Sequence, residues 1–400
     1  MPKQCNLCDS QEFILVVDLG QMPIAHRFLK TRDELVREFK HPFRIIQCTS
    51  CGLLQIEDPI EPAMLYKDGA FCFSSWKPQP HMSAEITELK RLGLSGESVI
   101  LEIGCNEGTF LKQLLDLGAK NLLGVEPNKA SGANAKRVPG ATIYNTFFDN
   151  SLADRILNDF GGIDVIVSRQ VVEHIPDLRS LMNSVRRLLK PSGVVMFEVP
   201  DFTEPMKFGD LSSLWEEHVN YFTQSSLNAL FASSGFNVRT FKRYAFCAGA
   251  IAAFATKTES SRLDYDPAVD VDLELGKNFS LRASQFKGKL VEILKKNRNA
   301  SRKNIVYGSG CRACTFINSH GIGDLFDFAV DDQPEKRGLL MPGCGLEVRS
   351  PDELSSVDGD CFLSVNHENE AKVIQKNQNF RGEFFSLNSP SPLFETVLTR

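Results

Sequence analysis

The spacing of apolar residues changes twice along the chain, and each change predicts a different kind of structure. Up to about residue 80 the sequence is loop-rich, with two short apolar runs, 13–19 (FILVVDL) and 43–48 (FRIIQC), that read as strands pairing with each other. From residue 98 apolar strands alternate with amphipathic helices. Residues 98–118 read as a buried strand, a glycine-containing turn and a helix, and 121–128 (NLLGVEPN) as a second strand ending in an acid. Residues 163–175 and 193–201 supply further strands, with a helix over 179–190 that Pro191-Ser192-Gly193 stops. Such alternation predicts a parallel, doubly wound sheet whose ligands sit at the carboxyl ends of its strands. Residues 257–270 are polar and contain proline, as a linker does. An amphipathic helix over 280–297 follows, and 304–321 then repeats strand, glycine turn and helix. The expectation is an α/β protein in three parts: 1–80, 81–256 and 257–400.

Composition narrows the function classes. The 400 residues carry 45 basic and 50 acidic side chains, a net charge of −5, and no Lys/Arg-rich run that would grip a phosphate backbone, so nucleic acid is not an expected partner. No apolar stretch approaches the ~20 residues of a membrane helix, and the first residues, MPKQCNLCDS, lack the apolar core of a signal peptide. The expectation is a cytoplasmic protein without a membrane partner, of an oligomeric state that the sequence does not specify. In that setting 11 cysteines point to metal ligation, catalysis or burial rather than to disulfides.

Cys5-Asn-Leu-Cys8 and Cys48-Thr-Ser-Cys51 are paired CxxC knuckles. Thiolates two residues apart face one ion across a tight turn, and two such turns complete a tetrahedral zinc site that is closed to water. Cys5, Cys8, Cys48 and Cys51 are therefore the expected ligands of a structural zinc. A third pair, Cys311 and Cys314, has no partner knuckle and is expected to pack.

The turn from Glu102 through Gly104 and Asn106 to Gly108 has the form ExGxxxG at a strand end. Glycines there let a ligand approach the backbone, and the following helix offers free N–H groups. Glu126, at the tip of the next strand, can grip both hydroxyls of a ribose. That pairing suits S-adenosylmethionine, with Gln170 along the cofactor's edge; the remaining reading is a turn that only packs on its helix. In Trp215-Glu216-Glu217-His218-Val-Asn220-Tyr221 an imidazole follows carboxylates, the composition of a general base and its support. His174 is expected to line the cofactor or to serve the fold. Gly308-Ser-Gly310-Cys-Arg-Ala313, with Asp331 and Asp332 beyond it, has the GxGxxA form of a dinucleotide turn. It could hold a dinucleotide, hold the nucleotide part of a substrate, or be structural.

Taken together, these parts resemble the zinc-containing, three-domain, S-adenosylmethionine-dependent C-methyltransferases of nucleotide-linked 4-keto deoxysugars. The resemblance rests on the paired knuckles, Met22-Pro-Ile-Ala-His-Arg-Phe28, Phe73-Ser74-Ser75, the cofactor turn, Glu217-His218 before Val-Asn-Tyr, and Tyr-Gly-Ser-Gly with Val-Asp-Asp-Gln-Pro near the end. It implies a zinc-binding domain, a central class I (Rossmann-like) methyltransferase domain, and a C-terminal Rossmann-like domain that holds the sugar nucleotide through Gly308 and Gly310 without NAD. It also implies that His218 removes the proton beside the ketone, that Glu217 orients His218, and that Asn220 and Tyr221 shape the substrate pocket. The chain departs from the family at Cys72, where an aromatic hydroxyl is expected, at Trp215-Glu216, which replace Tyr-His, and over Cys247–Ala252, which replaces His-Gly-Gly-Ser-Leu-Arg. A different sugar, O- or N-methylation, or a binding protein that has lost its chemistry are the alternatives these departures raise.

Overall fold

The computed structural model describes residues 4–65, 79–246, 249–258 and 266–399. Phe73-Ser74-Ser75, Cys72, Cys247 and part of the 257–270 linker lie outside the described residues.

Three sheets organise the chain. The central one has seven strands, in the order Phe236–Tyr244, Ala250–Lys257, Leu189–Pro200, Ile163–Arg169, Val99–Ile103, Asn121–Val125 and Thr142–Tyr144. Its middle strands are parallel, with Ile100 opposite Leu122 on one side and Val165 on the other, while Ala250–Lys257 runs antiparallel beside Leu189–Pro200. Burial on both faces explains the continuous apolar runs: Ile100, Leu101, Val167 and Phe197 are fully enclosed. Strand order reverses around Val99–Ile103, which opens the crevice expected at a switch point. This is the expected doubly wound α/β fold.

The C-terminal sheet has five parallel strands, ordered Val348–Arg349, Phe328–Val330, Lys303–Tyr307, Gly359–Leu363 and Phe384–Ser386, which makes it Rossmann-like as well. In the N-terminal sheet Phe13–Pro23 pairs antiparallel with Lys40–Cys48, bringing Phe13 opposite Cys48, as the apolar runs predict. Its fourth strand comes from elsewhere. Asn220–Tyr221, from the segment after the central sheet, pairs with Leu54–Ile56 and puts Tyr221 opposite Leu54 and Asn220 opposite Gln55.

The cores follow the same interlocking. Cys5, Cys48, Cys51 and Leu53 share one apolar cluster with Leu101, Ile166 and Phe197 of the central sheet. Val16 and Ile45 share another with Phe202, Met206 and Phe279, the last from the helix Phe279–Asn299 that leads into the C-terminal part. Among the described residues no helix is long and apolar enough to cross a membrane.

Candidate functional site

A single cavity of about 1110 Å³ runs from the carboxyl ends of the central strands to the glycine turn of the C-terminal sheet. Its walls include Glu102, Gly104, Asn106, Glu126 and Gln170 on one side, and His218, Gly310 and Arg312 on the other. Separate motifs in the sequence, these residues are brought to one space by the fold.

The turn Glu102–Gly108 is built on conformations that favour glycine. Gly104 and Gly108 have φ of 76° and 78°, and Asn106 has φ of 47°. A Cβ at Gly104 would fall 2.3 Å from Cγ2 of Val171, so the turn is closed against the next strand's end. Gly108 caps the helix Thr109–Asp116, leaving its first N–H groups toward the cleft. Glu126 Oε2 accepts the Asn106 N–H at 2.9 Å and Oε1 accepts the Asn128 N–H at 2.7 Å, so backbone donors fix the carboxylate at the cleft wall. Each oxygen keeps a second lone pair for a hydroxyl donor. Burial nevertheless pushes Glu126 above the ordinary carboxylate range, and pushes Glu102 up to about 8. Glu102 Oε2 is buried without a hydrogen-bond partner among the described residues, as suits a wall facing a polar, partly cationic ligand. Gln170, at φ 54°, donates from Nε2 to Glu198 Oε1 at 2.8 Å. Below it, Arg169 joins Glu85 (2.8 Å) and Glu198 (3.0 Å), a buried ionic floor that no motif revealed.

The 215–221 segment is pinned at both ends. The Tyr221 hydroxyl donates to the Trp215 carbonyl at 3.0 Å and accepts its N–H at 3.2 Å. Asn220 donates to the Ile175 carbonyl at 2.8 Å, and its Oδ1 accepts from Asn6 at 2.9 Å, within the first knuckle. Asn220 and Tyr221 therefore line the cleft, but their polar groups brace the segment rather than reach toward a ligand. His218 packs on Trp215, ring centroids 3.9 Å apart, and meets His174 edge-on at 4.8 Å. Burial, aided by His174, lowers the His218 imidazole well below its ordinary pKa, which keeps the ring neutral at physiological pH.

Glu217 corrects the expected arrangement. Its carboxylate approaches His26 Nδ1 at 2.8 Å, while its backbone carbonyl accepts from His174 Nδ1 at 2.8 Å. The ring of His218 gathers instead with Glu173 and His174. Glu216 accepts the Ala25 N–H at 2.8 Å, and burial followed by the charge of Glu217 pushes it to about 7. His26 thus reaches the site from the N-terminal sheet. Its signal lay in the Met22–Phe28 segment, but nothing in the spacing linked it to Glu217.

The four knuckle thiols form a compact group, every Sγ within 4.8 Å of the others, with Cys5–Cys51 at 3.5 Å and Cys8–Cys48 at 3.6 Å. Tetrahedral zinc with Zn–S bonds of about 2.3 Å requires sulfurs about 3.8 Å apart, so the donor set fits the ion with little movement.

In the C-terminal turn Gly308 has φ of 92°, and a Cβ there would lie 2.6 Å from the Ser364 carbonyl. Asp331, the acid a dinucleotide ribose would need, accepts from the Ser309 N–H and hydroxyl at 2.8 and 2.7 Å and faces Lys336 at 3.1 Å. Its oxygens serve the turn itself. Cys314 is buried and Cys311 packs half-buried against the same core, as expected; Cys311 also lines the cleft, because it begins the helix Cys311–His320.

Comparison with known proteins matches this plan segment by segment. Residues 5–66 match a family model for a zinc binding domain, 80–240 a methyltransferase domain, and 268–387 a C-methyltransferase C-terminal domain. The C-methyltransferase NovU of Streptomyces niveus is 24% identical over 97% of this chain and 96% of its own length. The ubiquinone biosynthesis O-methyltransferase of Pseudomonas aeruginosa is 31% identical over 26% of this chain and 45% of its own. Among solved structures, an S-adenosylmethionine dependent methyltransferase from Mesorhizobium loti superposes on 44% of this chain and 98% of its own, at 18% identity and a TM-score of 0.33.

Proposed function

Since this chain is an S-adenosylmethionine-dependent methyltransferase on the three-domain C-methyltransferase plan, we propose that it methylates a carbon beside the ketone of a nucleotide-linked keto sugar. The observation that carries this reading is the shared cavity: the Glu102–Gly108 turn, the neutral His218 imidazole and, from the C-terminal turn, Gly310 open to one space. The Glu102–Gly108 turn holds the methionine end of the cofactor, Glu126 the ribose hydroxyls, and Gln170 the remaining edge. When bound, S-adenosylmethionine supplies a methyl group on a positively charged sulfur. The chain's part is to place the sugar, exclude water and move one proton. His218 takes that proton from the carbon next to the ketone, and the C–H electron pair passes onto the ketone oxygen as an enolate.

Zinc held by Cys5, Cys8, Cys48 and Cys51 is structural, because four protein thiolates leave no open position. Asp331's engagement with its own turn supports a substrate-binding role for Gly308 and Gly310 over NAD. NovU, a C-methyltransferase aligned over nearly the whole chain, supports transfer to carbon. The test is turnover on a panel of 4-keto nucleotide sugars, read by mass spectrometry. A product carrying a new C–CH₃ group is the expected result; a methyl ether or methylamine would move the assignment to O- or N-methylation.

A further inference from the structure

Among the described carboxyl groups that line the cleft, Glu173 is the one whose two oxygens are both buried without a hydrogen-bond partner, and the mechanism above gives it no work. It is the middle residue of the short helical turn Val172–His174 after strand Ile163–Arg169, is 1% exposed, and lines the cavity. A buried carboxyl in that condition is costly to ionise, and a nearby group that becomes cationic would offset the cost. Its neighbours are two imidazoles. His174 Nε2 lies 4.0 Å from Glu173 Oε1, and Glu173, His174 and His218 each bring one polar atom within 4.8 Å of the others. His174 must donate from Nδ1, since its partner there is the Glu217 carbonyl, so its Nε2 faces Glu173 as an acceptor.

We propose that Glu173 is the carboxyl partner of His218: it positions the imidazole and balances the positive charge the ring gains on taking the substrate's proton. The proposal rests on the reading of His218 as the base. It replaces Glu217, whose carboxylate meets His26 across the segment. Glu173 acts through His218 and is a positioning residue, not a catalytic one. The charged and titratable groups facing it are His174 on its own turn, His218 from the 215–221 segment, and Glu198 of strand Leu189–Pro200, itself held by Arg169 and His81. Burial, with a smaller push from Glu198, moves Glu173 up to about 8. The charge-balancing form therefore grows in as pH rises through that value.

The test is ¹⁵N NMR of the full zinc-loaded chain, histidine-labelled and bound to S-adenosylhomocysteine. The His218 ring nitrogens are expected to shift with an inflection near pH 8. Glu173→Gln should remove that inflection, and Glu217→Gln should leave it. An inflection that survives Glu173→Gln, one that vanishes in Glu217→Gln, or none in the native chain would each overturn the proposal. If Glu173→Gln does not fold, Glu173→Asp draws the carboxyl back by one methylene and should shrink the amplitude; an unchanged amplitude overturns it. Proton exchange into a 4-keto nucleotide sugar separates the two ideas. Exchange retained by His218→Ala ends the base assignment while leaving the NMR coupling intact.

Discussion

Burial pushes Glu102 and Glu173 each to about 8, so the folded chain holds protons that an unfolded chain releases near pH 4.3. The sign follows from linkage. A carboxyl raised by folding contributes its full stability below the unfolded pKa and loses it as pH climbs toward the folded one. Between about pH 4.3 and 8 each such group therefore costs up to about 1.4 kcal/mol per pH unit. Urea unfolding of the cofactor-free protein should give lower stability at pH 7.5 than at pH 5.5. Glu102→Gln should recover about 1–3 kcal/mol of that difference; an equal loss in wild type and variant would show that Glu102 ionises normally. At Gly104, φ of 76° and the 2.3 Å approach of Val171 leave no room for a side chain. Gly104→Ala should lower cofactor affinity by about five- to a hundredfold by calorimetry, through about 1–3 kcal/mol of strain in the turn; unchanged affinity would contradict the assignment.

Among elements, the two-residue strand Asn220–Tyr221 does more than its length suggests. It completes the N-terminal sheet, and Asn6, between the first two knuckle thiols, bonds to Asn220, two residues from His218. A metal held by the four thiols would therefore brace the segment that carries His218 without touching substrate. Chelating the zinc should lower turnover along with stability. Asn6→Ala, which keeps all four thiols, should reduce kcat several-fold with zinc content unchanged; full activity in that variant would show that the knuckle and the site are independent. This coupling was not legible in the sequence. Strands such as 99–103 and 163–169 announce themselves through continuous apolar runs, and the cofactor turn through glycine spacing. A two-residue bridge has no periodicity, and its partner at Leu54–Ile56 lies far away in the chain. Glu217 was misread for a related reason: sequence adjacency to His218 says nothing about which way a carboxylate turns, and a contact with His26 depends on the whole N-terminal sheet being in place.

At the scale of the molecule, the N-terminal sheet braces the segment that carries His218, the central sheet presents the cofactor turn, and the C-terminal sheet closes the cavity with Gly310 and Arg312. Motif spacing predicted the contents of each part, while their convergence on one space came only from the fold. The fold places a neutral imidazole in the same cavity as the Glu102–Gly108 turn, so the proposed mechanism turns on one proton. The direct measurement is deuterium incorporation from D₂O into a 4-keto nucleotide sugar, with S-adenosylhomocysteine filling the cofactor site. Exchange at the carbon beside the ketone is expected in the wild-type enzyme. In His218→Ala that exchange and methyl transfer should both fall by about 10²- to 10⁴-fold, with cofactor affinity retained. A methylated product formed without exchange, or wild-type exchange in His218→Ala, would contradict the proposed mechanism.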